Sequence, residues 1–163
     1  MAKAPTEGQG HTGDIIIEPM KMSDLKQVLA IENMSFPAPW SRQAFISELT
    51  YNRAAIYLVA RQDDQIIGYA GMWVVVDEAH ITNIAVHPAW RRLGVGRRLM
   101  DRLVEIAQAN RCRAITLEVR KSNLAAQNLY TQYGFTAQGL RRGYYSDNGE
   151  DAIIMVKELE PGQ

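Results

Sequence analysis

Apolar residues recur along this chain at two spacings, one typical of β-strands and one typical of α-helices. The strand-like stretches are short runs rich in β-branched residues, bounded by polar or glycine-containing turns. Gln62-Asp63-Asp64 and Asp77-Glu78 read as turns of a meander that Pro88 ends. The predicted strands are Ile15–Ile17, Ile56–Ala60, Ile66–Val76, His80–Val86, Ala114–Val119, Phe135–Leu140 and Ala152–Leu159.

Four other stretches have apolar residues at helical spacing. Ser23, Ser41 and Asn123 are expected to act as N-caps, because their side chains can accept a hydrogen bond from a free amide of the first turn. Pro37 and Pro39 should end the first helix. The apolar faces carry Leu25, Val28, Leu29 and Ile31, then Phe45, Ile46 and Leu49, then Leu99, Met100, Leu103, Val104, Ile106 and Ala107, and lastly residues within Leu124–Tyr133.

This order of elements predicts an α/β fold of the α+β kind, with a central, mostly antiparallel mixed sheet and helices on both faces. It does not match an all-parallel doubly wound sheet or a barrel. The chain has 163 residues, which suits one domain. We expect a flexible N-terminal leader at residues 1–14, a single domain at 15–159 and a C-terminal tail at 160–163.

Composition narrows the possible partners. The chain has 18 basic and 18 acidic residues, so no nucleic acid partner is expected of this neutral protein. A single cysteine, Cys112, excludes an intramolecular disulfide and favours a reducing compartment, hence a cytoplasmic location. No apolar run is long enough to cross a bilayer, so no membrane partner is expected. His80 and His87 with one cysteine are too few for zinc, so we expect no metal.

A glycine-containing turn follows one predicted strand. Ile84-Ala85-Val86 leads through His87-Pro88 into Arg91-Arg92-Leu93-Gly94-Val95-Gly96-Arg97. Glycines at a helix start let the backbone approach a ligand, and the first helical amides lack internal partners. With the helix dipole these amides suit a phosphate group, and the nearby arginines add positive potential.

Two common phosphate-binding motifs do not fit this turn. A P-loop needs Lys-Ser or Lys-Thr after the second glycine, where Arg97-Arg98 stands. The dinucleotide fingerprint needs a third glycine at the position of Leu99. The alternative interpretation is a glycine helix start beside a solvated basic face.

A second candidate site lies downstream, at the end of the strand Ala114–Val119. Glu118 interrupts this apolar strand, and Asn123 and Tyr130 share one face of the next helix because they lie close to two turns apart. A carboxylate and a phenol could therefore face one cleft. The alternatives are a salt-bridged strand-end carboxylate for Glu118 and a ring packed on the sheet for Tyr130.

A carboxylate can accept a proton and a phenol can donate one, so these two groups suit general acid–base catalysis. A tyrosine stays protonated at neutral pH and is therefore the candidate acid, whereas the glutamate is the candidate base.

The motif Arg91-Arg92-Leu93-Gly94-Val95-Gly96 resembles the Arg/Gln-x-x-Gly-x-Gly/Ala motif of the GNAT acetyltransferases. The resemblance implies the GNAT-type acyl-CoA N-acyltransferase fold and acetyl-CoA as cosubstrate. In that family the loop binds the pyrophosphate, and the preceding strand lies beside the pantetheine arm. Acetyl-CoA contacts are thereby implied for Ile84, Ala85, Val86, Arg92, Leu93, Gly94, Val95, Gly96 and Arg97.

Longer segments resemble the bacterial RimI type of this family, the ribosomal-protein alanine N-acetyltransferases, over about residues 15–159. In that type a glutamate accepts the proton and a tyrosine donates one, which implies these roles for Glu118 and Tyr130 and an acetyl-CoA contact for Asn123. The implied acceptor is a protein N-terminus, such as that of a ribosomal protein. The segments are Phe36–Ser41, Leu117–Arg120 with Ser122-Asn123, Leu129-Tyr130, Gly134-Phe135, Arg141–Tyr145 and Glu150–Met155.

The acceptor could lie against Trp40, in a proline-rich turn, and against Tyr144 and Tyr145, predicted on the loop before the last strand. The alternatives are that Trp40 packs into the core and that Tyr145 covers a sheet edge. Arg141 and its neighbour Arg142 could attract an acidic partner or be solvated. Cys112 is interpreted as a plain helix-end residue, since no His-Asp arrangement supports a catalytic thiol.

Other functions remain open at this point. The same fold could acetylate lysine side chains, a small amine or an aminoacyl-tRNA, although the last would need a basic groove. A protein of another class would bind CoA or a nucleotide without turnover.

Overall fold

The computed structural model of the chain describes residues 14–160. Residues 1–13 of the predicted leader and 161–163 of the predicted tail lie outside this range. The strands within it are β1 Ile15–Pro19, β2 Ala55–Gln62, β3 Gln65–Val75, β4 Glu78–Val86, β5 Ala114–Arg120, β6 Thr136–Tyr145 and β7 Glu150–Glu158. The α-helices are α1 Leu25–Ser35, α2 Arg42–Tyr51, α3 Val95–Ala109 and α4 Leu124–Gln132.

The seven described strands form one sheet in the order β1-β2-β3-β4-β5-β7-β6. β1 with β2, β2 with β3, β5 with β7 and β6 with β7 are antiparallel pairs. β4 and β5 are parallel, because α3 returns the chain to the same end of the sheet before β5 begins. The predicted mixed, mostly antiparallel sheet is therefore confirmed.

The described chain divides into two compact units, residues 14–73 with Thr82–Val104, and Val74–Ile81 with residues 105–160. In the first unit α1 and α2 contribute Leu25, Val28, Ile31 and Phe45 to a core that also contains Tyr69. Each of these side chains is buried, which is the main source of stability for helices of this length.

Gly68 lets α3 pack closely on the sheet in the first unit. A Cβ at this position would lie 3.1 Å from Ala85 O and 3.2 Å from side-chain atoms of Val95 and Leu99. A larger residue would push the beginning of α3 away from β4. The small residue in β3 thus fixes where the glycine turn and the helix start lie.

In the second unit β5 alternates between two environments. Ile115, Leu117 and Val119 are buried on one face, whereas Thr116 and Glu118 lie on the other, less buried face. This follows from the period of two in a strand. β6 is different, since all its residues except Tyr145 are exposed, as befits a strand at the edge of the sheet.

The structure confirms two of the three predicted N-caps. The Ser41 Oγ accepts from Ala44 N and the Asn123 Oδ1 accepts from Ala126 N, each at 3.1 Å. The prediction for Ser23 is wrong, because it lies inside a 3₁₀ turn, Met22–Asp24, and Asp24 is the N-cap of α1. Asp24 is held there by Lys21 N and Arg61 Nη2 at 2.9 and 2.8 Å.

The C-terminal end of β6 differs from the prediction. β6 runs to Tyr145, so Tyr144 and Tyr145 lie on a strand and not on the predicted loop. The reason is that β6 continues to pair with β7 beyond a register shift, up to Tyr145 opposite Glu150.

Among the helices of residues 14–160, none is long and apolar enough to cross a membrane.

Candidate active site

The glycine turn of the first unit is anchored by Trp90, which lies in a 3₁₀ turn after β4 and is buried. Its indole Nε1 donates to Gln62 Oε1 at 3.2 Å, and its ring meets the His87 imidazole edge to face at 5.0 Å. His87 N donates to Ile67 O at 2.8 Å. Burial and the neighbouring Arg91 charge lower the pKa of His87. The turn therefore starts from a fixed point on the sheet.

Beyond Trp90 the backbone twice takes the left-handed conformation. Arg92 has a φ of 65° and Gly94 a φ of 82°. A Cβ at Gly94 would meet nothing within 4 Å, so conformation and not space explains the glycine there. A Cβ at Gly96 would lie 3.7 Å from Val86 Cγ2, an ordinary contact. The fold itself would accept a side chain at Gly96.

The beginning of α3 has the properties of an anion site. Arg98 N donates to Gly94 O at 3.1 Å, which starts the helical hydrogen bonds, and Val95 is buried beneath the first turn. Arg92, Leu93 and Arg97 are exposed. The first amides of a 15-residue helix and its dipole favour a negative charge at this end. An anionic group could therefore bind at this end of the helix.

The predicted strand contacts lie directly before this turn. Ala85 is buried, whereas Ile84 and Val86 are half-buried. Together with Arg92–Arg97 they form one continuous stretch of the first unit. The structure thus brings the predicted loop and strand residues together within that unit.

Glu118 is the centre of a charged cluster in the second unit. Its Oε2 lies 2.5 Å from His80 Nε2, and its Oε1 lies 3.5 Å from Arg141 Nε. The Glu118 side chain is only 12% exposed. β4, β5 and β6 each contribute one member, so this cluster exists only in the folded sheet.

The cluster changes the acid–base properties of Glu118. The hydrogen bond from His80, followed by the charges of His80 and Arg141, lowers the pKa of Glu118 although burial opposes the shift. Glu118 is therefore ionised at neutral pH and is a weaker base than an isolated carboxylate. Neither the pairing with His80 nor the contact with Arg141 is evident from the local sequence, because the three residues lie on separate strands.

Tyr130 lies on the buried face of α4. Its ring centroid is 5.8 Å from that of Phe135, and the residue is 9% exposed. Burial, and then the charge of Tyr145, raise the pKa of Tyr130 to about 12. A phenol with this pKa stays protonated at neutral pH and acts as a hydrogen-bond donor, since giving up its proton is more uphill than for an ordinary tyrosine.

Tyr145 links these groups electrostatically. Its charge contributes to the raised pKa of Tyr130, and the charge of Glu118 contributes to that of Tyr145, which burial mainly raises to about 12. The Arg120 guanidinium lies 4.0 Å from the centroid of the Tyr145 ring and is paired with Asp147 at 2.9 Å. The end of β6 is thereby held to β5.

The remaining predicted contacts differ in their surroundings. Tyr144 is 45% exposed and packs edge to face on Tyr145 at 5.0 Å. Trp40 packs against the core of the first unit, 5.3 Å from Phe45, and its backbone N donates to the buried Glu32 at 2.8 Å. Asn123 caps α4 with its side chain. These contacts lie within the protein, and the predicted contacts of the same residues with a ligand stay predictions.

Cys112 is buried, and burial raises the pKa of its thiol, which suits a structural residue and not a nucleophile. Within residues 14–160 no group of three or more His, Cys, Asp and Glu side chains is placed to hold a metal ion.

Comparison with known proteins decides the family. Residues 25–135 match the model of the acetyltransferase (GNAT) family, which is more than half of this chain. The chain belongs to the GNAT acetyltransferase family. The matched region contains the glycine turn, Glu118 and Tyr130, so this acetyltransferase carries both candidate regions within the part that defines the family.

Several relatives are similar over nearly their whole length. A Bacillus subtilis protein provisionally named a ribosomal protein bS18 alanine N-acetyltransferase is 44% identical, with 83% of this chain and 90% of that protein covered. The Escherichia coli ribosomal protein bS18 alanine N-acetyltransferase is 38% identical, with 86% and 95% covered. The crystal structure of the E. coli ribosomal-protein-S18 alanine N-acetyltransferase matches with a TM-score of 0.83 at 34% identity, covering 92% of this chain and 97% of that one.

Proposed function

We propose that this acetyltransferase moves the acetyl group of acetyl-CoA to the α-amino group of a protein N-terminus, and that the acceptor is an N-terminal alanine of a ribosomal protein. The observation that carries the proposal is the similarity, over most of both chains, to relatives named for this reaction on ribosomal protein bS18. The charged cluster around Glu118 supports it on chemical grounds.

The donor is proposed to bind at the glycine turn of the first unit. The amides at the start of α3, together with Arg92 and Arg97, would hold the pyrophosphate, while Ile84, Ala85 and Val86 would line the pantetheine arm. The left-handed Gly94 and the space at Gly96 support this assignment. Leu93 and Val95 belong to the same turn, and Asn123 is proposed as a further contact of the second unit.

Glu118 is proposed as the proton acceptor. The acceptor amine gives one proton to a carboxylate oxygen, directly or through a water molecule, and its nitrogen then forms a bond to the thioester carbon. Because the pKa of Glu118 is lowered, it is a weak base. Removing a proton at neutral pH costs about 1 kcal/mol from an α-amine but about 4–5 kcal/mol from lysine, which favours the α-amine as acceptor.

Tyr130 is proposed as the donor to the departing sulfur. When the carbon–sulfur bond breaks, the thiolate of CoA leaves with the bonding electron pair, and the phenol donates a hydrogen bond to it. The acylated nitrogen then loses its second proton to solvent to give the neutral amide, and the thiolate takes up a proton from solvent to give free CoA. A pKa of about 12 supports hydrogen bonding in place of full proton transfer. Trp40, Tyr144 and Tyr145 are proposed to contact the acceptor peptide.

The test is an acetylation assay with a peptide that copies the N-terminus of ribosomal protein bS18, starts with alanine and contains one lysine. We expect free CoA and a product whose acetyl group lies on the α-amine, as located by tandem mass spectrometry. Tyr130→Phe should slow turnover about tenfold without weakening acetyl-CoA binding, because only the donated hydrogen bond is lost.

A matched peptide with a blocked α-amine separates the alternatives. If the lysine of this blocked peptide were acetylated as fast as the free peptide, the acceptor would be a lysine side chain and not the N-terminus. Binding of acetyl-CoA in calorimetry with no release of CoA from either peptide, or from small amines and aminoacyl-tRNA, would indicate a binding module without turnover.

A further inference from the structure

Glu32 is a buried residue that the proposed reaction does not use. It lies in the last turn of α1 and is only 2% exposed. Burying a carboxylate costs free energy unless hydrogen bonds compensate for it, and an apolar residue of similar size is often as stable at such a position. Leu25, Val28 and Ile31 already pack α1 on the sheet. The hydrogen bonds of Glu32 therefore indicate what the carboxylate does.

Glu32 holds the proline-rich turn, residues 36–40, at both of its ends. Its main-chain O accepts from Phe36 N at 3.1 Å, and its side-chain Oε2 accepts from Trp40 N at 2.8 Å. The other carboxylate oxygen, Oε1, accepts from Tyr69 OH of β3. One residue of α1 thereby fixes the first and the last residue of the turn and connects them to the sheet.

The proline-rich turn is stiff between these two hydrogen bonds. Pro37 and Pro39 have a fixed φ and no N–H, and the residue before each proline is restricted to extended backbone. Phe36 accordingly has a φ of −128° and a ψ of 138°. Because the segment is stiff, losing the contact at one end should displace the turn as a whole.

We infer that Glu32 is a positioning residue for the acceptor peptide, because it holds the proline-rich turn and the Trp40 ring where the peptide is proposed to bind. Trp40 is half-buried, and its ring packs on Phe45 at 5.3 Å while part of the residue stays exposed. Glu32 itself, being buried, touches neither the peptide nor acetyl-CoA. This inference rests on the proposed contact between Trp40 and the acceptor.

The experiment measures KM and kcat for the alanine peptide, and the dissociation constant of acetyl-CoA, in Glu32→Leu and Glu32→Gln. Leucine accepts no hydrogen bond, so the turn should be in its binding position for only part of the time and KM should rise about tenfold. At saturating peptide kcat should stay within about twofold of the wild type, as should acetyl-CoA affinity. Glutamine keeps an oxygen for Trp40 N and an amide that can donate to Tyr69, so Glu32→Gln should have a KM within about threefold of the wild type.

Tyr69→Phe is the matched control, since it removes the other hydrogen bond to Glu32 and leaves the one from Trp40 N. Its melting temperature should fall, while its KM stays within about twofold of the wild type. A rise in KM as large as that of Glu32→Leu would overturn the inference, because a loosened core and not the hold on the turn would then explain both.

Two results from the Glu32 variants would also overturn the inference. One is a wild-type KM in Glu32→Leu, and the other is a KM in Glu32→Gln as high as in Glu32→Leu. If Glu32→Leu fails to fold in a thermal melt, Glu32→Asp replaces it, because this shorter carboxylate cannot reach both Trp40 N and Tyr69 OH without a shift. Its KM should rise at least about fivefold, and a KM within about twofold of the wild type would overturn the inference.

Trp40→Ala separates the failure of this inference from failure of the proposed acceptor contact. If KM rises in Trp40→Ala but not in Glu32→Leu, the contact stands and only the role of Glu32 is wrong. If KM is unchanged in Trp40→Ala, the contact itself is wrong, and the inference about Glu32 falls with it. Acetylation of the peptide by the wild type in the same assay tests the proposed reaction independently of these variants.

Discussion

The glycine turn and the Glu118 cluster are built in opposite ways. The turn depends on its main chain, with left-handed Arg92 and Gly94 leading into the amides at the start of α3. The cluster depends on side chains, because His80 and Arg141 reach Glu118 from two other strands. A site built from the main chain can be predicted from contiguous residues of the sequence. A site built from side chains on several strands depends on which strands are neighbours in the sheet. The same difference predicts that binding and turnover can be damaged separately.

The largest expected effect is on turnover. Glu118→Gln should lower kcat by about 100-fold or more, because the amide cannot accept the amine proton. The dissociation constant of acetyl-CoA should change less than about twofold, since Glu118 is not among the proposed acetyl-CoA contacts. Stopped assays and calorimetry measure the two quantities. An equal loss of binding would show that the two regions do not act independently.

The next effect is on binding. Gly96→Val should raise the dissociation constant of acetyl-CoA by about tenfold or more, which is about 1.4 kcal/mol, by filling the space above the helix start. At saturating acetyl-CoA, kcat should be close to that of the wild type. A Cβ has room beside Val86, so the melting temperature reports whether the fold has stayed intact. Unchanged affinity would remove Gly96 from the donor site.

The two glycines of the turn should respond differently to alanine. Gly94→Ala should lower the free energy of unfolding by about 1 kcal/mol, because alanine does not favour a φ of 82°. Gly96→Ala is the matched control and should leave it unchanged or raise it by up to about 1 kcal/mol, since Gly96 is helical. Urea denaturation measures both. Equal destabilisation would mean that backbone conformation is not what distinguishes them.

The smallest effect concerns pH and the cluster. Because the folded-state pKa of Glu118 is lowered, its contribution to stability is present above its ordinary value of 4.5 and is lost as the pH falls below that value. Arg141→Gln should remove about 0.5 kcal/mol or less at pH 7, since the arginine is 56% exposed. The difference should shrink as the pH falls through the lowered, folded-state pKa of Glu118. Arg142→Gln, on the adjacent exposed position of β6, should show no such pH dependence.

Local patterns in the sequence predicted the elements well where one residue decides the outcome. Ser41 and Asn123 cap their helices as expected, because an N-cap needs only its own side chain and amides of the first turn. Ser23 failed because Asp24 competes for the same role and is held by the distant Arg61. The end of β6 was also missed, since β7 and not the local sequence keeps Tyr144 and Tyr145 in the strand.

The sequence by itself determined the alternation of β5, which sets Glu118 apart from the buried Leu117 and Val119, and the glycine turn before α3. Both features follow from contiguous residues and from the geometry of a single element. Only the tertiary structure decided that His80 and Arg141 surround Glu118, because the order in which β4, β5 and β6 enter the sheet is set by packing over long separations in the chain. Those neighbours lower the pKa of Glu118. The burial of Tyr130, whose ring packs against Phe135, raises the pKa of Tyr130.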